Sequence, residues 1–159
     1  MTDKASEIKY IPNDAFFITV QQMLGDGVKV DFTVTGNSMW PLLKHGRDKV
    51  VLAPCKGFDI KKGDVILLEA LPSKYLLHRV TDVSENFIET TGDFNTFRDG
   101  RFSEKCIKGK VVNITRKGKN YKTDSWLIRL YSFFWMRFFT VRKPLLKFIR
   151  IISKVKNKP

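Results

Sequence analysis

The chain has 159 residues, 43% of them hydrophobic, which gives room for one domain with a hydrophobic core and a short appendage. A net charge of +13 points to nucleic acid or an anionic membrane, but its distribution is uneven: of 29 basic residues, nine lie in 126–159 with no acidic residue among them. The remaining 20 are nearly balanced by all 16 acidic residues in the first 125 positions. That leaves an ordinary globular surface and a basic tail.

In chain order, Asn13 or Asp14 can cap a helix over Ala15 to Leu24, where Phe16, Val20 and Leu24 recur at helical spacing and Gly25 stops it. This helix is expected to pack on the segment that comes after it in the chain. The N-terminal stretch has no charged segment leading into a long apolar core, so it does not read as a secretory signal. Nor does the chain hold an uncharged apolar run of about 18 residues, so no helix is expected to span a bilayer. The expected location is cytoplasmic, soluble or peripheral on the inner face of the membrane.

From Val28 the pattern becomes β: VKVDFTV alternates in polarity and is rich in β-branched and aromatic residues before Gly36 breaks it. Further strands are expected at Lys49 to Ala53, Asp64 to Leu71, Tyr75 to Val83, Asn86 to Thr91 and Ile107 to Thr115, separated by turn signals such as KKGD, LPSK and RDGR. The fold class is therefore mainly β, a coiled, largely antiparallel sheet with an N-terminal helix and a C-terminal basic helical appendage. After Lys117-Gly118-Lys119-Asn120 the period turns helical, with a cap at Thr123, Asp124 or Ser125 and a second helix opening at Pro144. The organisation read from this is a helical segment at 1–27, a β-domain at 28–120 and a basic amphipathic tail at 121–159.

Three segments carry chemistry. Gly36-Asn37-Ser38-Met39-Trp40-Pro41 puts a hydroxyl on a turn that lifts it out of the sheet and leaves backbone N–H groups for an oxyanion. Leu76-Leu77-His78-Arg79-Val80 places an imidazole in a strand; of the two histidines, His45 sits in a polar turn and His78 is the better general base. Thr91-Gly92-Asp93 to Arg98-Asp99-Gly100 is a loop with two carboxylates, either of which can cap a turn or orient an imidazole. The Ser38 amide is the expected first oxyanion donor, and Gly36 or Asn37 sets the second. Cys55 and Cys106 lie far apart and outside any metal-ligand spacing, so they are expected as free thiols. The reading requires no metal or other cofactor.

GNSMWP, LHRV and TTGDFNTFRD, in that order and separated by about 40 and about 15 residues, resemble the successive boxes of type I signal peptidases. Lys61-Lys62-Gly63-Asp64-Val65-Ile66 is similar to the Gly-Asp strand start found between the first two boxes. The resemblance covers roughly residues 30 to 115. It implies a coiled antiparallel peptidase fold and hydrolysis of a leader, signal or propeptide through a seryl acyl-enzyme. Most bacterial members carry Lys where this chain has His78; LHRV is similar to the endoplasmic-reticulum and sporulation-type branch, which implies Ser-His-Asp machinery. In that branch the acidic partners match Asp93 and Asp99, and we favour Asp99 for orienting the imidazole and Asp93 for shaping the loop. A counterpart of the N-terminal membrane anchor of signal peptidases is not expected here.

The resemblance extends to self-cleaving repressors of the DNA-damage response, but those use a Lys base and their DNA-binding members carry a helix-turn-helix. A non-catalytic peptide-binding module of the same fold is the other alternative. The partners expected are a peptide or protein substrate and an anionic membrane surface. Nucleic acid is disfavoured because the tail aromatics cluster rather than interleave with Arg. Trp126, Arg129, Lys143, Lys147, Arg150 and Lys154 are the expected membrane-binding residues, the last four on one helical face. The competing expectation for Trp126 to Phe139 is a helix folded back onto the β-domain.

Overall fold

The computed structural model describes residues 13–56 and 59–139, with 144 and 146. Helix α1 (Asn13–Gly25) leads into β1 (Val30–Thr33), and after a long connection come β2 (Asp48–Ala53), β3 (Val65–Leu71) and β4 (Lys74–Val83). They are followed by β5 (Ile88–Thr91), β6 (Gly100–Phe102), β7 (Ile107–Arg116), β8 (Lys119–Lys122) and α2 (Trp126–Arg137). The eight strands form one antiparallel sheet in the order β1-β2-β7-β3-β4-β5-β6, with β8 paired to β7 off this path. The fold is thus mainly β with a helix at each end, as the alternation and turn chemistry predict.

Ten-residue β7 is the spine. One edge carries β2, from Ala53 opposite Lys110 to Asp48 opposite Arg116. The other edge is shared, first by β3 around Ile107 to Lys110 and then by β8 around Asn113 to Arg116. Register shifts at Val51/Leu52, Leu67/Leu68, Glu69/Leu71 and Val80/Asp82 bend the strands and raise their twist.

Strand β3 shows why part of the pattern does not alternate. Val65 and Leu67 point into one core with Val20, Leu24, Met39, Leu43, Val50 and Ile114, whereas Ile66 and Leu68 point into a second with Ile60, Val80 and Ile88. A strand buried on both faces reads as a continuous apolar run. Helix α1 joins the first core through Val20 and Leu24. Phe16 meets Phe32 edge to face at 5.5 Å and Phe17 stacks on Tyr75 at 4.4 Å.

Two strands depart from expectation. RDGR, read as a turn, supplies Gly100 and Arg101 of β6, which pairs with β5 through Thr90 opposite Gly100. Lys117-Gly118, read as part of the break before the C-terminal helix, is a two-residue hairpin turn with φ of 48° and 76° at its central residues, the geometry that lets the chain double back with the sheet's own twist. Strand β8 therefore carries the sheet to Lys122, two residues past the expected end at 120. Lys143, Lys147, Arg150 and Lys154 lie outside the described residues; Leu146 is fully buried.

Candidate active site

Ser38 lies after β1 in a turn held from several directions. Gly36 takes φ of +82°, open to glycine at no steric cost, and its N–H donates to His45 Nδ1 at 3.0 Å. Trp40 N donates to Asn37 O at 3.1 Å and Leu43 N to Met39 O at 2.8 Å. Met39, Leu42 and Leu43 anchor the turn in the core. The result leaves Ser38 half-buried beside exposed Gly36 and Asn37. The Gly36 amide is engaged by His45, whereas the Asn37 and Ser38 amides donate to no acceptor among the described residues.

His78 lies in the middle of β4 opposite Ile66 of β3, and is 3% exposed. Its Nδ1 is 2.6 Å from Asp99 Oδ2. The same carboxylate oxygen accepts from Thr90 Oγ1 at 2.9 Å, and Asp99 N donates to Thr90 O at 2.9 Å. A buried carboxylate on Nδ1 fixes the ring's orientation and favours the tautomer that leaves Nε2 as acceptor. This is the arrangement an imidazole needs in order to receive a proton from a hydroxyl.

The neighbouring residue faces the other way, as successive strand residues must. Arg79 is 1% exposed and grips Asp93 with two parallel bonds, Nε to Oδ1 and Nη2 to Oδ2, both 2.7 Å. Its Nη1 donates to Gly63 O at 2.8 Å and to Ser132 Oγ at 2.5 Å. Burial acts to lower the Arg79 pKa, but the charge and hydrogen bonds of Asp93 more than offset it, and the guanidinium is held above its ordinary range. Helix α2 closes this pair from outside. The Tyr131 ring lies 5.6 Å from the guanidinium carbon, Tyr131 OH donates to Asp93 Oδ2 at 3.4 Å, and Trp135 Nε1 donates to Asp93 O at 3.2 Å.

The loop between β5 and β6 ties the two halves together. Phe94 N donates to Ser38 O at 2.8 Å, and the Phe94 ring meets Trp40 edge to face at 5.4 Å. A Cβ on Gly92 would lie 2.7 Å from Ser38 O, so only glycine fits there. Thr91 Oγ1 donates to Phe97 O at 2.7 Å, bracing the loop internally. One end of the loop thus holds the Ser38 backbone, and the other presents Asp99 to His78. No hydrogen bond joins Ser38 Oγ to the His78 ring among the described residues; contacts of this kind often tighten only when substrate arrives.

Of the residues expected from sequence, Ser38, His78, Asp93 and Asp99 all converge on this loop, with Asp99 on His78 and Asp93 on Arg79. Sequence reasoning missed Thr90, Gly92, His45 and the α2 residues Ser132 and Trp135. The available signal was Arg79 itself, a charge inside an apolar strand that must find a buried partner. Among the described residues no group of His, Cys, Asp and Glu gathers to hold a metal. Cys55 and Cys106 are both free, and burial pushes the Cys55 thiol up to about 11.

Helix α2 turns Trp126 (70% exposed), Leu127, Leu130, Phe133 (59%) and Phe134 outward, with Phe138 exposed just after it, while Ile128 and Tyr131 pack on the main core. Arg129 is exposed. No helix among the described residues is long and apolar enough to cross a membrane. The chain matches no family model, and no curated protein matches it.

Proposed function

We propose that the protein is a serine endopeptidase that cleaves a leader, signal or propeptide, with Ser38 as nucleophile, His78 as general base and Asp99 as the carboxylate that orients it. The observation that carries this reading is the buried 2.6 Å contact between His78 Nδ1 and Asp99 Oδ2, on a loop whose other end is bonded to Ser38. Ser38 Oγ attacks the scissile carbonyl carbon and passes its proton to His78 Nε2. The oxyanion is received by the Ser38 and Asn37 amides. His78 then protonates the leaving amine as the C–N bond breaks, and a water deprotonated by His78 releases the acyl group.

The unmade Ser38–His78 bond favours one alternative, a peptide-binding module that does not cleave. Incubation with a mixture of unstructured peptides, read by mass spectrometry, separates the two. The expected result is product formation by the native chain and none by Ser38→Ala. Retention of peptides without cleavage, or equal products from Ser38→Ala, overturns the assignment.

We also propose that the enzyme works peripherally on the inner face of an anionic membrane. What supports this is the exposed aromatic face of α2 combined with nine basic and no acidic residues in 126–159, the composition of a segment that buries rings at an interface and leaves cations at the headgroups.

A further inference from the structure

Where β3 begins beneath α2, an open cleft of about 620 Å³ is walled on one side by Lys62 and on the other by Arg129 and Arg137. Arg129, Phe133, Met136 and Arg137 succeed one another at helical spacing, so one stripe of α2 faces the cleft with a cation at either end and apolar side chains between. The one carboxylate in the lining, Asp64, is already used: it accepts from Lys61 N at 2.9 Å and lies 3.5 Å from Lys110 Nζ. Lys62 has only a loose, exposed contact with Asp82 at 3.9 Å. Arg129 and Arg137 make no ion pair among the described residues. Three cations thus converge on a cavity with no free counter-charge.

The apolar part of the same stripe continues out of the cleft. Phe133 lines it and is still 59% exposed, next to Phe134, Leu130 and Trp126 on the outer face. A small soluble anion would satisfy the cations and leave these rings in water. A ligand with a phosphate at one end and hydrocarbon at the other satisfies both.

We propose that this cleft seats the phosphate headgroup of an anionic phospholipid, with Lys62, Arg129 and Arg137 around the phosphate and Phe133, Phe134, Leu130 and Trp126 against the acyl region. The proposal rests on the membrane reading above and not on the peptidase reading. It converts a general attraction between a basic tail and a charged surface into a site with named ligands.

The test is co-sedimentation of the full chain with vesicles of phosphatidylglycerol and phosphatidylcholine in equal parts, and with phosphatidylcholine alone. The variants are Arg129→Gln/Arg137→Gln and, as a charge-matched control outside the cleft, Lys117→Gln/Lys119→Gln. The cleft variant is expected to lower binding to the anionic vesicles about thirtyfold, the order expected for two basic residues near the surface, and the hairpin control, whose lysines do not line the cleft, by no more than about twofold. Phe133→Ala/Trp126→Ala is expected to lower binding at high salt as well as low. Failure of the native chain to bind anionic vesicles removes the membrane reading and the site together. Equal losses in the cleft and hairpin variants remove the site alone, leaving diffuse attraction through the tail. Binding of inorganic phosphate in the cleft, measured by calorimetry, without preference for anionic vesicles overturns the choice of a lipid.

Discussion

Asp93 and Asp99 stand six positions apart on one loop, both with buried carboxylates, and each touches a side chain from β4. Asp93 meets Arg79, which is permanently charged and boxed in by Gly63 O, Ser132 and Tyr131. Asp99 meets His78, an imidazole whose second nitrogen has no hydrogen-bond partner among the described residues. Two identical carboxylates thus serve different ends. One neutralises a fixed buried cation and so holds α2 and the loop in place; the other fixes the orientation of an imidazole. The lesson is that a carboxylate's role is read from the chemistry of its partner rather than from its burial or its distance from the nucleophile.

The sharpest break in that comparison is between activity and stability. Asp99→Asn should lower the peptidase rate by about 10⁴-fold, the order seen when an orienting carboxylate is neutralised, while the melting midpoint stays close to native. Parallel rates and melts check this; a large fall in stability with activity retained would exchange the two roles. Asp93→Asn should do the reverse, costing about 3–5 kcal/mol because it strands the buried guanidinium of Arg79, as measured by denaturant unfolding. A variant replacing both partners, Asp93→Leu/Arg79→Met, should recover much of that stability.

Asp48 provides a third buried carboxylate, bonded to guanidinium and backbone rather than to an imidazole. Burial works to raise its pKa, but the Arg47 guanidinium, Lys44 N–H and the nearby Arg116 charge hold it below the ordinary carboxylate range. A depressed folded-state pKa contributes stability above the unfolded value of about 3.9 and loses it as pH falls through the folded value. The stability gap between the native chain and Asp48→Asn should therefore be constant from neutrality to about pH 5 and close in acid. Unfolding curves over that range check it, and a gap that widens in acid would contradict it.

The smallest expected effect lies on α2. Ser132→Ala removes one bond to the Arg79 guanidinium and should cost about 1.5–3 kcal/mol, with a modest change in rate and none in the protonation behaviour of the reaction. If Ser132→Ala alters the pH dependence of hydrolysis, α2 acts on His78 rather than on the loop's support.

The strands and the Ser, His and Asp segments were legible in the sequence because each rests on local pattern: alternation for β1, an apolar run for β3, Gly and Pro around Ser38. Strand β6 was hidden because Gly100 and Arg101 carry turn composition and pair only through β5. Strand β8 was hidden because Lys119–Lys122 is exposed along its whole length, with no buried face to print a period. The division of labour between Asp93 and Asp99 depends on Arg79 and His78 pointing to opposite faces of β4 and on Ser132, 53 positions away, reaching the same guanidinium. Such long-range pairing leaves no mark at the spacing of neighbours. Helix α2 is apolar nearly all round, so periodicity alone did not distinguish the face on Asp93 from the face in water.

The most direct test of the central claim is the rate at which a fluorophosphonate probe labels Ser38. The probe phosphorus takes the Ser38 oxygen as fluoride leaves and a proton is given up, so labelling requires an activated hydroxyl but no knowledge of the natural substrate. The account predicts a single adduct mapped to Ser38, lost in Ser38→Ala, strongly slowed in His78→Ala and Asp99→Asn, and preserved in Ser132→Ala. Labelling of Ser38 at the same rate in the native and His78→Ala proteins, or no adduct at Ser38 in the folded native chain, would contradict it.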